Sequence, residues 1–162
     1  KVDGLLELLE ELPPREQVVA FAVSRRLIEL TQARLSEKNV ASVVISGAVP
    51  EVQRYHAVDQ FRAGLARVCL VVIQAGGEGL DGLQCAQVGV FMQRHYSRLM
   101  NRQAEGRLVR DGQEGQAVLI DLRSEGTIED DKEALLALKE DRFEELVRDR
   151  AALRDLIARS MA

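Results

Sequence analysis

The chain has 162 residues, of which 46% are hydrophobic and 30% are charged, so it is long enough and apolar enough for one folded domain. Its net charge of −4 excludes a domain that binds nucleic acid through overall basicity, and any such contact needs a local patch. No apolar run approaches the roughly 18 residues of a membrane-spanning helix, and no signal peptide is visible.

Helix and strand patterns alternate along most of the chain. Each predicted strand is an almost continuous apolar run, whereas each predicted helix carries apolar residues three and four positions apart. Ser24 is placed to cap the second helix and Pro50 to open the third. In chain order, the predicted elements are a helix over 2–12, a strand over 17–23, a helix over 25–38, a strand over 40–46, a helix over 51–64, strands over 66–73 and 87–92, a helix over 98–112 and a strand over 115–122.

This alternation indicates an α/β domain, a doubly wound parallel sheet with helices on both faces. Residues 1–129 are expected to form the domain, and the charged amphipathic pattern of residues 130–162 predicts a C-terminal helical extension. Ligands of such sheets bind at the carboxyl ends of the strands. The chain begins at Lys1 inside a helical pattern, so it is expected to be a fragment of a longer protein.

The two cysteines, Cys69 and Cys85, form neither a CxxC pair nor a Cys/His cluster. This spacing argues against a zinc site, and no metal ligands are predicted. Both side chains are interpreted as buried free thiols in a reducing compartment. His56 is interpreted as a surface residue, because no catalytic partner motif surrounds it. His95 follows the fourth predicted strand and is interpreted as a structural residue, with contact to a substrate or nucleotide as the alternative.

A glycine-rich loop, "AGGEGLDG" over 75–82, follows the third predicted strand. It lacks the lysine of a Walker A motif, and neither GxxxxGK[ST] nor GxGxxG occurs in the chain. The glycines permit close approach of the backbone to a ligand. A tight connection between a strand and a helix explains them equally well.

The stretch "QAEGRLVRDGQ", over 103–113, carries Arg107 and Arg110 three residues apart, and they are predicted to share one face of a helix. Two guanidinium groups there can bind a triphosphate, because arginine suits planar contact with phosphate through several donors. From spacing alone, solvated ion pairs with Glu105 or other acidic neighbours explain the two arginines more readily.

These stretches resemble motifs V and VI of superfamily 2 helicases. "AGGEGLDGLQCA", "QAEGRLVRDGQ" and "TIE" are similar to the Swi/Snf-type translocase branch, whose patterns run roughly AGGxGLNLxxA and QAxGRxxRxGQ. Gly47, Arg54 and Phe61 match its GxxxxxxRxxxxxxF block, and residues 17–35 look like motif IV. The context "QRHYSRLMNRQAEGR" is similar to phage-encoded members of the branch.

The resemblance implies a RecA-like second lobe, the helicase C-terminal domain, which closes on a first lobe to form an ATP site. In such enzymes the first lobe carries Walker A and the acidic motif that holds Mg²⁺, which would account for the absence of Walker A here. Arg107 and Arg110 would act as arginine fingers on the γ-phosphate of ATP. The residues expected to line the nucleotide pocket are Gln103, Gly77, Gly79 and Asp81.

Contacts with nucleic acid, expected to be double-stranded DNA, are predicted from Arg25, Arg54 and Gln74. The two arginines provide a local phosphate patch, although solvated helix charges explain them equally well. Gln74 stands where the family commonly has a basic residue. The whole protein is expected to be an ATP-dependent DNA helicase or translocase. We expect a cytoplasmic location, in the host if the protein is phage-encoded, or a nuclear one if it is eukaryotic.

Two other classes of function stay open. One is a degenerate lobe that binds DNA or a protein without an ATPase role. Val72 and Ile73 favour it, because they replace the family's usual Ser-Thr, whose Thr often contacts the nucleic-acid backbone. The other is an α/β enzyme of unrelated chemistry, although the sequence shows no catalytic triad, metal cluster or dinucleotide fingerprint.

Overall fold

The structure is a computed structural model that describes residues 1–76, 82–109 and 117–124. Within these residues, five strands form one parallel sheet with the order β2-β3-β1-β4-β5. The strands are β1 (Val18–Ala22), β2 (Ser42–Ile45), β3 (Val68–Val72), β4 (Val88–Phe91) and β5 (Val118–Asp121). The helices are α1 (Val2–Glu11), α2 (Arg25–Glu37), α3 (Glu51–Arg62) and α4 (Arg98–Glu105), and short 3-10 turns cover Ile73–Gly76 and Leu83–Cys85.

The α/β prediction is confirmed, and the predicted strands overlap the observed ones with their ends displaced by one to three residues. Ser24 caps α2 as predicted, because its Oγ accepts a hydrogen bond from the backbone N–H of Leu27 at 3.3 Å. Pro50 directly precedes α3, also as predicted.

The chain divides into two units, Lys1–Arg123 and Ser124–Ala162. The predicted domain boundary after residue 129 and the helical extension lie outside the described residues and stay predictions.

The five strands begin level with one another. Val18 of β1 lies opposite Val68 of β3 and Val88 of β4, and these two lie opposite the first residues of β2 and β5. Since each strand has only four or five residues, their carboxyl ends also lie close to one level. Residues from five distant parts of the sequence therefore leave the sheet at one edge, here called the carboxyl edge.

Side chains alternate between two cores, one on each face of the sheet, because successive residues of a strand point to opposite sides. Phe21 and Phe91 stack with ring centroids 4.8 Å apart in the core that α3 and α4 cover. Leu70 and Val90 lie in the other core, beneath α1 and α2. Helices cover both faces of the parallel sheet, so it is doubly wound, and this explains why β1, β3 and β4 are buried and apolar along their whole length.

The predicted helix over 98–112 is too long, because α4 ends at Glu105. Beyond it the chain tightens into a turn in which the backbone N–H of Arg107 donates to the carbonyl of Ala104 at 3.3 Å and that of Leu108 to Glu105 at 2.9 Å. This turn buries Leu108 completely in the core. Arg107 therefore lies in the turn rather than on the helix, and Arg110 lies outside the described residues.

The prediction that both cysteines are buried is half wrong. Cys69 in β3 is fully buried, whereas Cys85 is exposed, and both are free thiols. Cys85 lies on a 3-10 turn at the surface, where its Sγ donates to the carbonyl of Gly82 at 3.3 Å.

Among the described residues, no helix is both long enough and apolar enough to cross a membrane.

Candidate functional site

At the carboxyl edge, side chains join the segments that follow β1, β3 and β4. The backbone N–H of Ser24, after β1, donates to Oε1 of Gln93, after β4, at 2.9 Å. The side chain of Gln74, after β3, faces His95, with 3.3 Å between the two Nε2 atoms. Polar groups from three separate stretches of sequence therefore meet where a ligand of a parallel sheet binds.

The loop after β4 is held by Asn101, a residue of α4 that is only 4% exposed. Its Oδ1 accepts from the backbone N–H of His95 at 2.7 Å, and its Nδ2 donates to the His95 carbonyl at 2.9 Å. Nδ1 of His95 accepts from the backbone N–H of Ser97 at 2.9 Å, and Nε2 on the other side of the ring faces Gln74. These contacts agree with the structural role predicted for His95.

Arg107 is a partly buried cation in the turn after α4. Its Nη1 atom is buried and has no hydrogen-bond partner among the described residues. Burial lowers the pKa of the guanidinium below its ordinary value, although arginine stays charged at neutral pH. A buried donor without a partner costs about 1–3 kcal/mol, which an arriving anion would recover.

The sequence spacing suggests an ion pair between Arg107 and Glu105, but in the structure Glu105 pairs with a different arginine. Glu105 is bound instead by Nη1 of Arg94. Arg94 also binds Asp121, with 2.6 Å from Nε to Oδ1 and 2.9 Å from Nη2 to Oδ2, and its guanidinium lies 3.9 Å from the centroid of the Phe91 ring. The guanidinium of Arg94 therefore connects α4 with the ends of β4 and β5.

Sequence reasoning missed Arg94. The available signal was an arginine shortly after the fourth predicted strand and an aspartate in the last residues of the fifth. Because neighbouring parallel strands end side by side, these two residues were candidates for an ion pair. The pairing of β4 with β5 was needed to choose Asp121 over other acidic residues.

The predicted nucleic-acid residues follow three different strands. Arg25 begins α2 after β1 and forms an exposed ion pair with Glu29 at 2.9 Å, with 64% and 59% of the two side chains exposed. Arg54 lies in the first half of α3, after β2, and is partly buried. Gln74 is exposed on the turn after β3. In the structure, Gln74 lies beside His95. Arg25 follows β1 and Arg54 follows β2, and these two strands are not neighbours because β3 lies between them.

Among the residues predicted to line the nucleotide pocket, Gln103 is exposed on α4. This helix contacts the turn Ile73–Gly76, so the "QAEGR" stretch lies beside the start of the glycine-rich loop. The three other predicted pocket residues and the second predicted arginine finger lie outside the described residues, and their roles stay predictions. They are Gly77, Gly79, Asp81 and Arg110.

At its end, the glycine-rich loop packs tightly against α3. Gly82 has a φ of +119°, which L side chains rarely adopt, and a Cβ there would lie 2.8 Å from Cγ1 of Val58 and 2.8 Å from Cδ of Arg62. Glycine is required at this position for packing. A tight connection after the strand, rather than close approach to a ligand, therefore accounts for the last glycine of the loop.

The sequence model of the helicase conserved C-terminal domain family matches residues 1–112. The DNA repair and recombination protein RAD54B of Mus musculus is 27% identical over 128 residues, which are 78% of this chain and 14% of that protein. A SWI/SNF-related matrix-associated actin-dependent regulator of chromatin subfamily A-like protein 1 homolog of Caenorhabditis elegans is 30% identical over 121 residues, which are 74% of this chain and 17% of that protein. The chain thus spans a small part of either relative, and these animal proteins do not support the phage origin that the context of "QRHYSRLMNRQAEGR" suggests.

Among solved structures, the C-terminal part of the Fun30 ATPase domain superposes with a TM-score of 0.76 at 22% identity, over 83% of this chain and 44% of that one. At this identity the likeness shows the fold alone. The fold is RecA-like, as the sequence resemblance implies.

Proposed function

This chain belongs to the helicase conserved C-terminal domain family, and on that premise we propose that it is the second motor lobe of an ATP-dependent DNA helicase or translocase of the Swi/Snf type. In the proposed enzyme, ATP binds between this lobe and a first lobe that holds Mg²⁺. Arg107 and Arg110 are its arginine fingers. Double-stranded DNA contacts the carboxyl edge, and the enzyme acts in the nucleus, as a chromatin or repair protein.

The observation that carries this proposal is the buried Nη1 donor of Arg107, which has no partner among the described residues. A transferring phosphoryl group spreads negative charge over its equatorial oxygens, and a planar guanidinium meets such oxygens with several donors. The donor is already removed from water, so the attraction to phosphate is stronger there than it would be at the surface. Gln103, exposed on the preceding helix, is proposed to contact the nucleotide.

The proposed DNA contact rests on the polar groups of the carboxyl edge. Gln74 and the Nε2 of His95 lie together there, and Arg25 begins α2 one residue after Ser24. These groups suit hydrogen bonds to phosphate oxygens, which fix the position of a duplex without reading its sequence. Since the net charge of the chain is −4, the contact is local.

The proposal is tested by the ATPase activity of the full-length parent protein, with and without duplex DNA, for the wild type and Arg107→Ala. We expect DNA to stimulate the wild type and the substitution to lower kcat by about 10³-fold or more, with little change in ATP affinity. The matched control is Arg102→Ala, which removes an exposed arginine from α4, the helix that precedes the turn of Arg107. A wild type without ATPase activity, or equal kcat for the Arg107 and Arg102 variants, would contradict the proposal.

A second candidate is a lobe that binds DNA without contributing to hydrolysis. It is favoured by Val72 and Ile73, whose buried apolar side chains stand where the family commonly has hydroxyl groups. The same experiment separates the two. DNA binding by the parent protein with no ATP hydrolysis supports the binding lobe, whereas DNA-stimulated hydrolysis that depends on Arg107 supports the motor.

A further inference from the structure

Arg94 lies at the centre of a partly buried cluster of charges. Its side chain is 29% exposed, and those of its partners Glu105 and Asp121 are 28% and 34% exposed. Burial alone would lower the pKa of Arg94, but its hydrogen bonds to Asp121 and Glu105 outweigh this effect and raise the pKa above its ordinary value. The exposed pair of Arg25 and Glu29 is screened by water, whereas this cluster is screened much less.

The sheet provides a fixed base for this cluster. Phe91 and Asp121 are the last residues of β4 and β5 and lie opposite each other in the register. Arg94 stacks on the ring of Phe91 and binds both carboxylate oxygens of Asp121, so two strands fix the plane of its guanidinium. Nζ of Lys1 also joins the two segments, since it donates to the carbonyls of Met92 at 2.7 Å and Leu122 at 2.6 Å.

Nη1 of Arg94 reaches the end of α4. Glu105, which Nη1 of Arg94 binds, is the last residue of that helix. Its backbone carbonyl accepts from the N–H groups of Leu108 at 2.9 Å and Val109 at 3.0 Å, which close the turn around Arg107. A short path of contacts therefore runs from the sheet through Arg94 and Glu105 to Arg107.

We propose that Arg94 is a positioning residue that holds the end of α4, and with it the guanidinium of Arg107, against the sheet for phosphoryl transfer. This inference rests on the proposed function of Arg107 and adds a residue that supports it. A helix end without a tether frays, and a displacement of about 1 Å at a catalytic group can lower a rate by about 10²-fold. Arg94 itself need not contact ATP.

The test is a double-mutant cycle on kcat in the full-length parent protein, with Arg94→Gln, Arg107→Ala and both together. We expect Arg94→Gln alone to lower kcat by about 10-fold to 100-fold, with a much smaller change in the KM for ATP. In the Arg107→Ala background, the same substitution should lower kcat no further, because the group that it positions is already gone. A purely structural role would leave kcat per folded molecule unchanged in both backgrounds.

The matched control is Arg67→Gln. Arg67 directly precedes β3, so it lies at the amino ends of the strands, away from the carboxyl edge. Arg67 donates to backbone carbonyls of Leu9 at 2.7 Å and Leu12 at 3.2 Å, so its loss should lower Tm and leave kcat per folded molecule unchanged. Arg94→Lys should recover part of kcat, because lysine keeps the charge but not the planar pair of donors. If Arg94→Gln does not fold, Glu105→Ala releases the helix alone and leaves Arg94 bound to Asp121.

Two results would overturn the positioning role and leave the fingers in place. One is a folded Arg94→Gln protein with the kcat of the wild type. The other is a loss of kcat by Arg94→Gln that is as large in the Arg107→Ala background as in the wild type, since Arg94 would then act separately. If Arg107→Ala itself leaves kcat unchanged, the proposed function fails, and the role of Arg94 fails with it.

Discussion

Leu108 lies directly on the backbone of Gly89. A Cβ at Gly89 would be 2.5 Å from Cδ1 of Leu108 and 2.8 Å from Cδ2 of Leu119. The bare backbone of β4 at this point leaves the space that lets the chain turn inward after α4. Arg107 precedes Leu108, so this contact also sets where that arginine leaves the core.

We expect Gly89→Ala to lower the free energy of unfolding by about 1–3 kcal/mol, because the added methyl group has no room in the core. The substitution should also lower kcat of the parent protein, since the turn that carries Arg107 must move. Gly4→Ala in α1 is the control, because among the described residues its Cβ would meet only Leu122, at 3.8 Å, and alanine favours helix. Urea denaturation of both variants measures the difference, and equal stability of the two would contradict the expectation.

Arg67→Gln is expected to lower the free energy of unfolding by about 2 kcal/mol, because the charged guanidinium holds carbonyls at the end of α1. Equilibrium denaturation measures the loss. Unchanged stability would mean that water replaces these hydrogen bonds without cost.

Arg25→Ala should weaken binding of the parent protein to duplex DNA and reduce the salt dependence of the binding constant, by about one unit of slope for each phosphate contact removed. Arg34→Ala is the control, since Arg34 lies near the other end of α2 and pairs with Glu37 at 3.0 Å. Titrations of labelled DNA at several salt concentrations compare the two variants. Equal slopes would remove Arg25 from the proposed interface.

In the folded protein, an alkylating reagent should modify Cys85 and leave Cys69 unmodified. Cys69 is fully buried, and burial strongly raises the pKa of its thiol. Burial also raises the pKa of Cys85, so its labelling near pH 8 should be slower than that of an unperturbed thiol and should accelerate as the pH rises. Mass spectrometry after timed labelling measures both sites, and faster modification of Cys69 would contradict the described packing of β3.

The isolated chain should not turn over ATP. Its sequence contains no Walker A motif, so the proposed ATP site needs residues from another lobe. Phosphate release by the purified chain, measured with and without DNA, tests this expectation. Turnover above the rate of a matched Arg107→Ala chain would contradict the division of the site between two lobes.

The fold could be predicted because its signals are local. Continuous apolar runs predict buried parallel strands, and the prediction placed all five strands of the described sheet. Strand ends were less accurate, because hydrogen bonding between strands decides them. Val118, for example, begins β5 three residues after the predicted start.

The end of α4 and the cluster around Arg94 could not be predicted in the same way. Gly106 at the end of α4 is a local stop signal, but helical spacing continues past Glu105, and the inward turn also depends on the packing of Leu108 against Gly89, nineteen positions earlier. The partners of Arg94 depend on the register that places Phe91 opposite Asp121. The packing of Leu108 and the partners of Arg94 are tertiary, so neither is present in any single stretch of sequence.

Asn101 fixes the conformation of the loop after β4 before any ligand binds. Its amide binds both the N–H and the carbonyl of His95, much as a neighbouring strand would. Ordering a free backbone residue costs about 1–2 kcal/mol in conformational entropy, and here folding has already met that cost. A ligand that arrives at the carboxyl edge therefore meets a preorganised loop, and more of its contact energy remains for affinity.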